Sequence, residues 1–210
     1  MGIAERRERE KEDVRRRILE AAHDLFEKRG YENVTMRAVA DAIEYSPTTI
    51  YHHFERKDAL VEALCFADFE QLTAAMNQAP LPAHPIERIR ALGRSYAAFG
   101  WANPNHYRFM FMTAGDWKRH ANEEDTPPGR SYALLRGAVV DAMDQGYFAK
   151  DDVDLVAQLL WTTIHGVVSL TITFKPDQFP RVPPRPGLLA TTIETTLRGL
   201  LVKTDKEDAR

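Results

Sequence analysis

A chain of 210 residues, 44% hydrophobic and 28% charged, is long enough to close a packed core as one large domain or as a small one joined to a larger one. The net charge is only −3, and residues 1–57 carry as many acidic as basic side chains, which excludes a molecule coated in basic surface; a local patch still suffices for nucleic acid. The single cysteine, Cys65, excludes an intrachain disulfide and fits a reducing compartment.

The start, 1–11, is dense in charge and has no apolar run of signal-peptide type. Its interleaved Arg6, Arg7, Arg9, Glu5, Glu8 and Glu10 read as a solvated helical extension more than as a minor-groove arm. The first helix carries Val14, Ile18, Ala22, Leu25 and Phe26 on one face and stops at Gly30, a residue that ends a helix without a Cβ penalty. Thr35 is a good cap for a second helix to about 43. After Glu44-Tyr45, Ser46-Pro47 is a restart signal, a hydroxyl cap followed by proline in the first turn. That third helix is brief and ends near Phe54; a fourth starts at Lys57-Asp58 and runs to about 77. The proline-containing stretch 79–85 is the seam to a larger domain.

Five more helices are expected there: 85–101, 104–113, 129–145, 151–174 and 187–203. A polar loop covers 114–128, and Pro176, Pro180, Pro183, Pro184 and Pro186 bar a continuous helix over 175–186. The most apolar stretch, 156–174, is broken by Gln158, His165, Gly166 and several threonines and falls short of a membrane span. The fold class is therefore all-α, with about nine helices and three parts: 1–57, a connecting helix over 58–78, and 79–210. The protein is expected in the cytoplasm, away from membranes.

Three helices within 54 residues, with a three-residue link before a short capped third, outline a helix-turn-helix. With Ile50 placed inward, Phe54 joins it, Thr48, Thr49, Tyr51 and His52 point outward or flank the core, and His53 lies nearer the buried edge. Hydroxyl, phenol and imidazole groups hydrogen-bond phosphates and base edges. Lys57 follows the helix where a DNA backbone would pass. His52 and His53 are about 100° apart on a helix and are not expected to chelate a metal together. No metal or cofactor is expected elsewhere.

These residues also match a family. The stretch Thr35-Met36-Arg37-Ala38-Val39-Ala40, then Ser46-Pro47-Thr48-Thr49-Ile50-Tyr51-His52-His53-Phe54-Glu55-Arg56-Lys57-Asp58-Ala59-Leu60, resembles the N-terminal domain of TetR-type regulators, and the likeness extends over about 14–65. It implies operator contacts for Thr35, Arg37, Ser46, Thr48, Thr49, Tyr51, His52 and Lys57, with Pro47 and His53 in the same interface. Trp161-Thr162-Thr163-Ile164-His165-Gly166 is similar to a Trp-x-x-x-His-Gly signature of one C-terminal subclass. The resemblance further implies a homodimer formed through helices 151–174 and 187–203, placing two reading helices on a palindrome about 34 Å apart. The sequence departs from the family at the turn, where Glu44 stands in place of a glycine; a positive φ there would cost on the order of 1 kcal/mol.

The cluster Phe99, Trp101, Tyr107, Phe109, Met110, Phe111, Met112 and Trp117 reads either as plain core or as the wall of a ligand pocket. Trp161, Thr162 and His165 would anchor the ligand in the second case. His165 reads equally as a hydrogen-bonded core residue, and Gly166 as a point of close helix approach. The expected function is a ligand-responsive repressor that binds double-stranded operator DNA and is released by a small apolar or aromatic effector. The alternatives are a regulator without a ligand and an all-helical enzyme using His106, His120 or His165.

Overall fold

The computed structural model describes residues 2–78, 80–112, 125–174 and 185–202. Among them nine α-helices follow in order: α1 (Ile3–Arg29), α2 (Met36–Ala42), α3 (Pro47–His53), α4 (Lys57–Met76), α5 (Pro85–Ala102), α6 (Pro104–Met112), α7 (Pro127–Asp144), α8 (Val153–Thr173) and α9 (Arg185–Leu200). A 3-10 turn, Tyr31–Asn33, precedes α2. The fold is all-α, as the periodicity implies. The proline connector and most of the expected loop lie outside the described residues.

Local chemistry accounts for the helix ends. α1 stops at Gly30, whose φ of +75° suits a residue without Cβ. The Ala38 N–H donates to Thr35 Oγ1 at 3.2 Å, and the Thr49 N–H donates to Ser46 Oγ at 3.2 Å. Asp152 caps α8 by accepting from the backbone of Asp154 and Leu155. α7 begins at Pro127 and not at 129, because Thr126 caps it and both prolines fit a first turn whose N–H groups need no helical partner. The charged start of the chain is helical, with exposed pairs such as Arg6–Glu10 at 2.8 Å.

Ile18, Ala22, Val39, Ile50 and Phe54 form a small core under α1, α2 and α3. α4 leaves this unit and packs on α5, α6 and α7; α5 in turn packs on α7, α8 and α9. Ion pairs fasten the rim: Arg90 grips Glu194 of α9 through two bonds of 2.7 and 2.8 Å, and Arg88 meets Asp141 of α7 at 2.8 Å.

Two expectations need correction. A Cβ on Gly166 would meet nothing within 4 Å, so this glycine makes no close approach within the chain. The close approaches fall on α5: a Cβ on Gly93 would lie 2.8 Å from Ile164 Cδ1, and one on Gly100 2.6 Å from Val168 Cγ1 and 2.8 Å from Tyr107 Cδ2. Second, α8 does reach the length and mean hydropathy (1.5) of a membrane-crossing helix. Here it is a packed helix, with α5, α7 and α9 against it. The outer face of α9 carries the exposed Thr191, Thr195 and Arg198.

Glu44 adopts φ +61° and is the one non-glycine residue with positive φ among the described residues. Glu44→Gly should relieve about 1–2 kcal/mol of left-handed strain and lose about 0.5–1 kcal/mol to chain entropy, a net gain near 0.5–1 kcal/mol. Urea denaturation checks this as a higher midpoint at unchanged slope. Gly100→Ala should destabilise by about 1–3 kcal/mol through overpacking against Val168 and Tyr107, read in the same assay.

Candidate nucleic-acid interface and cavity

α3 shows its two faces clearly. Ile50 is fully buried and Phe54 nearly so, anchoring the helix to the small core. Tyr51 is 51% exposed. Ser46, Pro47, Thr48 and His52 are also exposed, and Thr49 and His53 are half-buried. The Ser46 and Thr49 hydroxyls lie 3.0 Å apart, so both are partly engaged in capping. Burial first, then the Lys11 and Arg15 cations, hold His53 below the usual imidazole pKa.

α1 braces this unit. The Arg15 guanidinium lies over the Phe54 ring at 4.6 Å, and that of Arg17 over the Tyr45 ring at 5.2 Å. Arg17 also donates to the Ile43 carbonyl at 3.4 Å and to Tyr45 Oη at 3.3 Å, so the turn is held from α1. Thr35 and Arg37 are exposed at the start of α2. Lys57 is half-buried: its ammonium donates to the Tyr31 carbonyl and sits 3.9 Å from the Tyr31 ring centroid. Its charge is thus engaged within the chain.

A cavity of about 720 Å³ opens in the larger helical part. Phe69, Leu72 and Met76 of α4, Leu92, Gly93 and Tyr96 of α5, and Met110 and Phe111 of α6 form one side. α7 contributes Ser131, Tyr132, Leu135 and Arg136; α8 contributes Asp154, Gln158, Trp161 and Ile164. The Arg136–Asp154 pair, 2.9 Å, is exposed and gives the mainly apolar wall a charged edge.

Behind Phe111 and Trp161 lies a closed polar network. Tyr107 Oη is 2.6 Å and Tyr96 Oη 3.0 Å from His165 Nδ1, and the two hydroxyls are 3.0 Å apart. The Trp161 indole donates to Tyr96 Oη at 3.2 Å, and Ser169 Oγ lies 3.1 Å from His165 Nε2. Burial lowers the pKa of His165, so the ring is neutral at pH 7. With Nδ1 accepting from a tyrosine, Nε2–H donates to Ser169. Burial pushes Tyr107 up to about 12 and Tyr96 well above the ordinary phenol value, so both keep their protons.

Of the pocket residues expected from the sequence, Met110, Phe111 and Trp161 line the cavity. Tyr107 and His165 stand directly behind it. Phe99 is buried but is not part of the lining. Thr162 is exposed and donates to the Leu159 carbonyl of its own helix. Trp117 lies outside the described residues, as does His120. His106 pairs with Asp68 away from His165. Sequence reasoning missed Tyr96, Arg136, Asp154 and Gln158. A signal existed: 154, 158, 161 and 165 recur at i, i+4, i+7 and i+11, one face of α8.

Known proteins resemble this chain in both its N-terminal part and its larger helical part. The description "Bacterial regulatory proteins, tetR family" matches residues 18–64, and "Tetracyclin repressor-like, C-terminal domain" matches residues 89–193. The transcriptional regulator UidR of Escherichia coli is 36% identical over 80 residues, a match that covers 38% of each chain. The transcriptional repressor KstR2 of Mycobacterium tuberculosis is 29% identical over 157 residues, covering 70% of this chain and 75% of its own. A solved structure of AibR, in complex with isovaleryl coenzyme A and operator DNA, superposes with a TM-score of 0.65 at 20% identity, covering 86% of this chain and 96% of that one. The chain belongs to the TetR family of bacterial regulatory proteins.

Proposed function

We propose that this protein is a cytoplasmic transcriptional repressor that binds palindromic operator DNA as a homodimer and releases it when a small apolar or aromatic molecule fills the cavity. The observation that carries the DNA half is the outward row on α3, with Tyr51 at its centre and no long aliphatic side chain. In this reading Thr48, Thr49, Tyr51 and His52 enter the major groove, while Thr35, Arg37, Ser46, Pro47, His53 and Lys57 flank it at the phosphates. Residues 1–57 form the reading head, 58–78 the connecting lever and 79–210 the sensing and pairing part. Lys57 would first have to leave Tyr31.

The effector half is supported by the cavity, whose 720 Å³ falls within the usual span of small-molecule sites. An apolar body against Phe69, Phe111 and Trp161 and a polar end near Arg136 is the complementary shape. AibR, which holds an acyl coenzyme A, supports an amphiphilic effector. α4 lines the cavity with Phe69, Leu72 and Met76 and begins beside α3, so a ligand favouring one α4 position would change the spacing of the two reading heads.

Pairing is supported by α8. Leu155, Leu159 and Leu170 are 61%, 45% and 54% exposed, and with Thr162 and Gly166 they form one stripe at helical spacing. Gly166, open within the protomer, suits close approach of a partner helix. Thr162 belongs to this stripe and not to the cavity.

Binding sites selected from random DNA supply the test ligand. Tyr51→Ala should weaken the selected site by about 1–3 kcal/mol, roughly 5- to 150-fold, and leave stability within about 0.5 kcal/mol. Unchanged affinity would reject the interface. A thermal-shift screen of apolar and aromatic carboxylates should yield a binder that lowers operator affinity about 5- to 150-fold at saturation. Binders that stabilise the protein yet leave operator affinity unchanged would reject induction.

A further inference from the structure

Three side chains distant in sequence meet where α1, α4 and α6 adjoin. His23, Asp68 and His106 each offer a donor atom within 4.8 Å of the other two. Asp68 is 2% exposed, and its Oδ1 lies 2.7 Å from His106 Nδ1. The two imidazoles stack with ring centroids 3.8 Å apart. Asp68 Oδ2 and His23 Nε2 are both buried and have no hydrogen-bond partner. Buried polar atoms are nearly always satisfied, so two bare ones in one cluster call for a missing partner. An Asp68–His106 ion pair alone leaves both unexplained.

The donors identify that partner. Two imidazoles and one carboxylate suit a borderline divalent transition ion, whereas calcium and magnesium favour oxygen alone. Zinc holds such donors at about 2.0–2.2 Å, hence ~3.4 Å from each other, so side-chain movement of about an ångström closes the cluster on an ion. His106 is 30% exposed and leaves a path for the ion and for a water to complete its coordination. Asp24 and Glu27 lie beside His23 on α1, forming a second group with it and adding negative potential.

We propose that His23, Asp68 and His106 bind a divalent transition-metal ion of the zinc type. The ion would join α1 to α4 and α6, two of the helices that line the cavity. Sequence reading gave no hint of it, because 23, 68 and 106 share no local spacing.

The test uses the full chain, stripped with a chelator and dialysed against micromolar zinc(II), with bound metal counted by elemental analysis. One ion per chain is expected, along with ligand-field absorption bands when cobalt(II) replaces zinc. His23→Gln and His106→Gln should each weaken binding at least about 10-fold, while His84→Gln, on a ring that packs against Tyr147, should not. Asp68→Asn, nearly isosteric, gives the same readout should a histidine variant lose its fold, as judged by circular dichroism. Less than one ion per chain at saturating micromolar zinc would overturn the proposal. So would folded variants of His23, His106 and Asp68 that bind as the wild type does.

Discussion

Tyr107 has no exposed surface, so its hydroxyl must find partners inside the protein. It finds them in Tyr96 of α5 and His165 of α8. That one requirement positions α6 against two helices that form the body of the larger part. It also orients Trp161 and Phe111, which face the cavity from the same cluster of rings. A half-satisfied polar core is worse than an apolar one, so every member of the network is constrained by the others. The cavity wall therefore inherits its geometry from a polar network of which Tyr96 and Trp161 reach the lining, while Tyr107 and His165 stand behind it.

The same short helix looks the other way with His106, Asn105 and Phe109. Phe109 stacks on Phe26 of α1 at 5.5 Å, Asn105 bonds Glu27 of α1, and His106 meets His23 and Asp68. α6 is thus shared between the cavity and the helix that braces α3. α4 is shared in a similar way, since Lys57 at its start engages Tyr31 while Phe69 and Met76 line the cavity. In the proposed function these two helices carry any effect of a ligand to the DNA, and the metal site would sit between them.

The turn before α3 shows how local rules and packing interact. Glu44 takes the left-handed backbone that glycine would hold without strain. Its neighbour Tyr45 gains a guanidinium partner from α1, and the Tyr45 N–H bonds the Ala40 carbonyl at 3.0 Å. These contacts fasten the turn from both sides, so strain of about 1–2 kcal/mol is tolerated.

Helix class, nearly every helix boundary and the two faces of α3 were legible in the residues themselves. Caps such as Thr35 and Ser46, the stop at Gly30 and the 3.6-residue period act within a few positions, and sequence displays such short-range physics directly. Phe111 and Trp161 were legible as pocket walls because their side chains are large and clustered. Only the tertiary structure decided which helices share a wall, that Gly93 and Gly100 are the points of close approach, that Thr162 faces outward, and that His165 bonds two tyrosines. Those outcomes depend on how helices far apart in the chain rotate and settle against one another. Periodicity names the apolar face of each helix, but the partner of that face is set by packing the whole core at once.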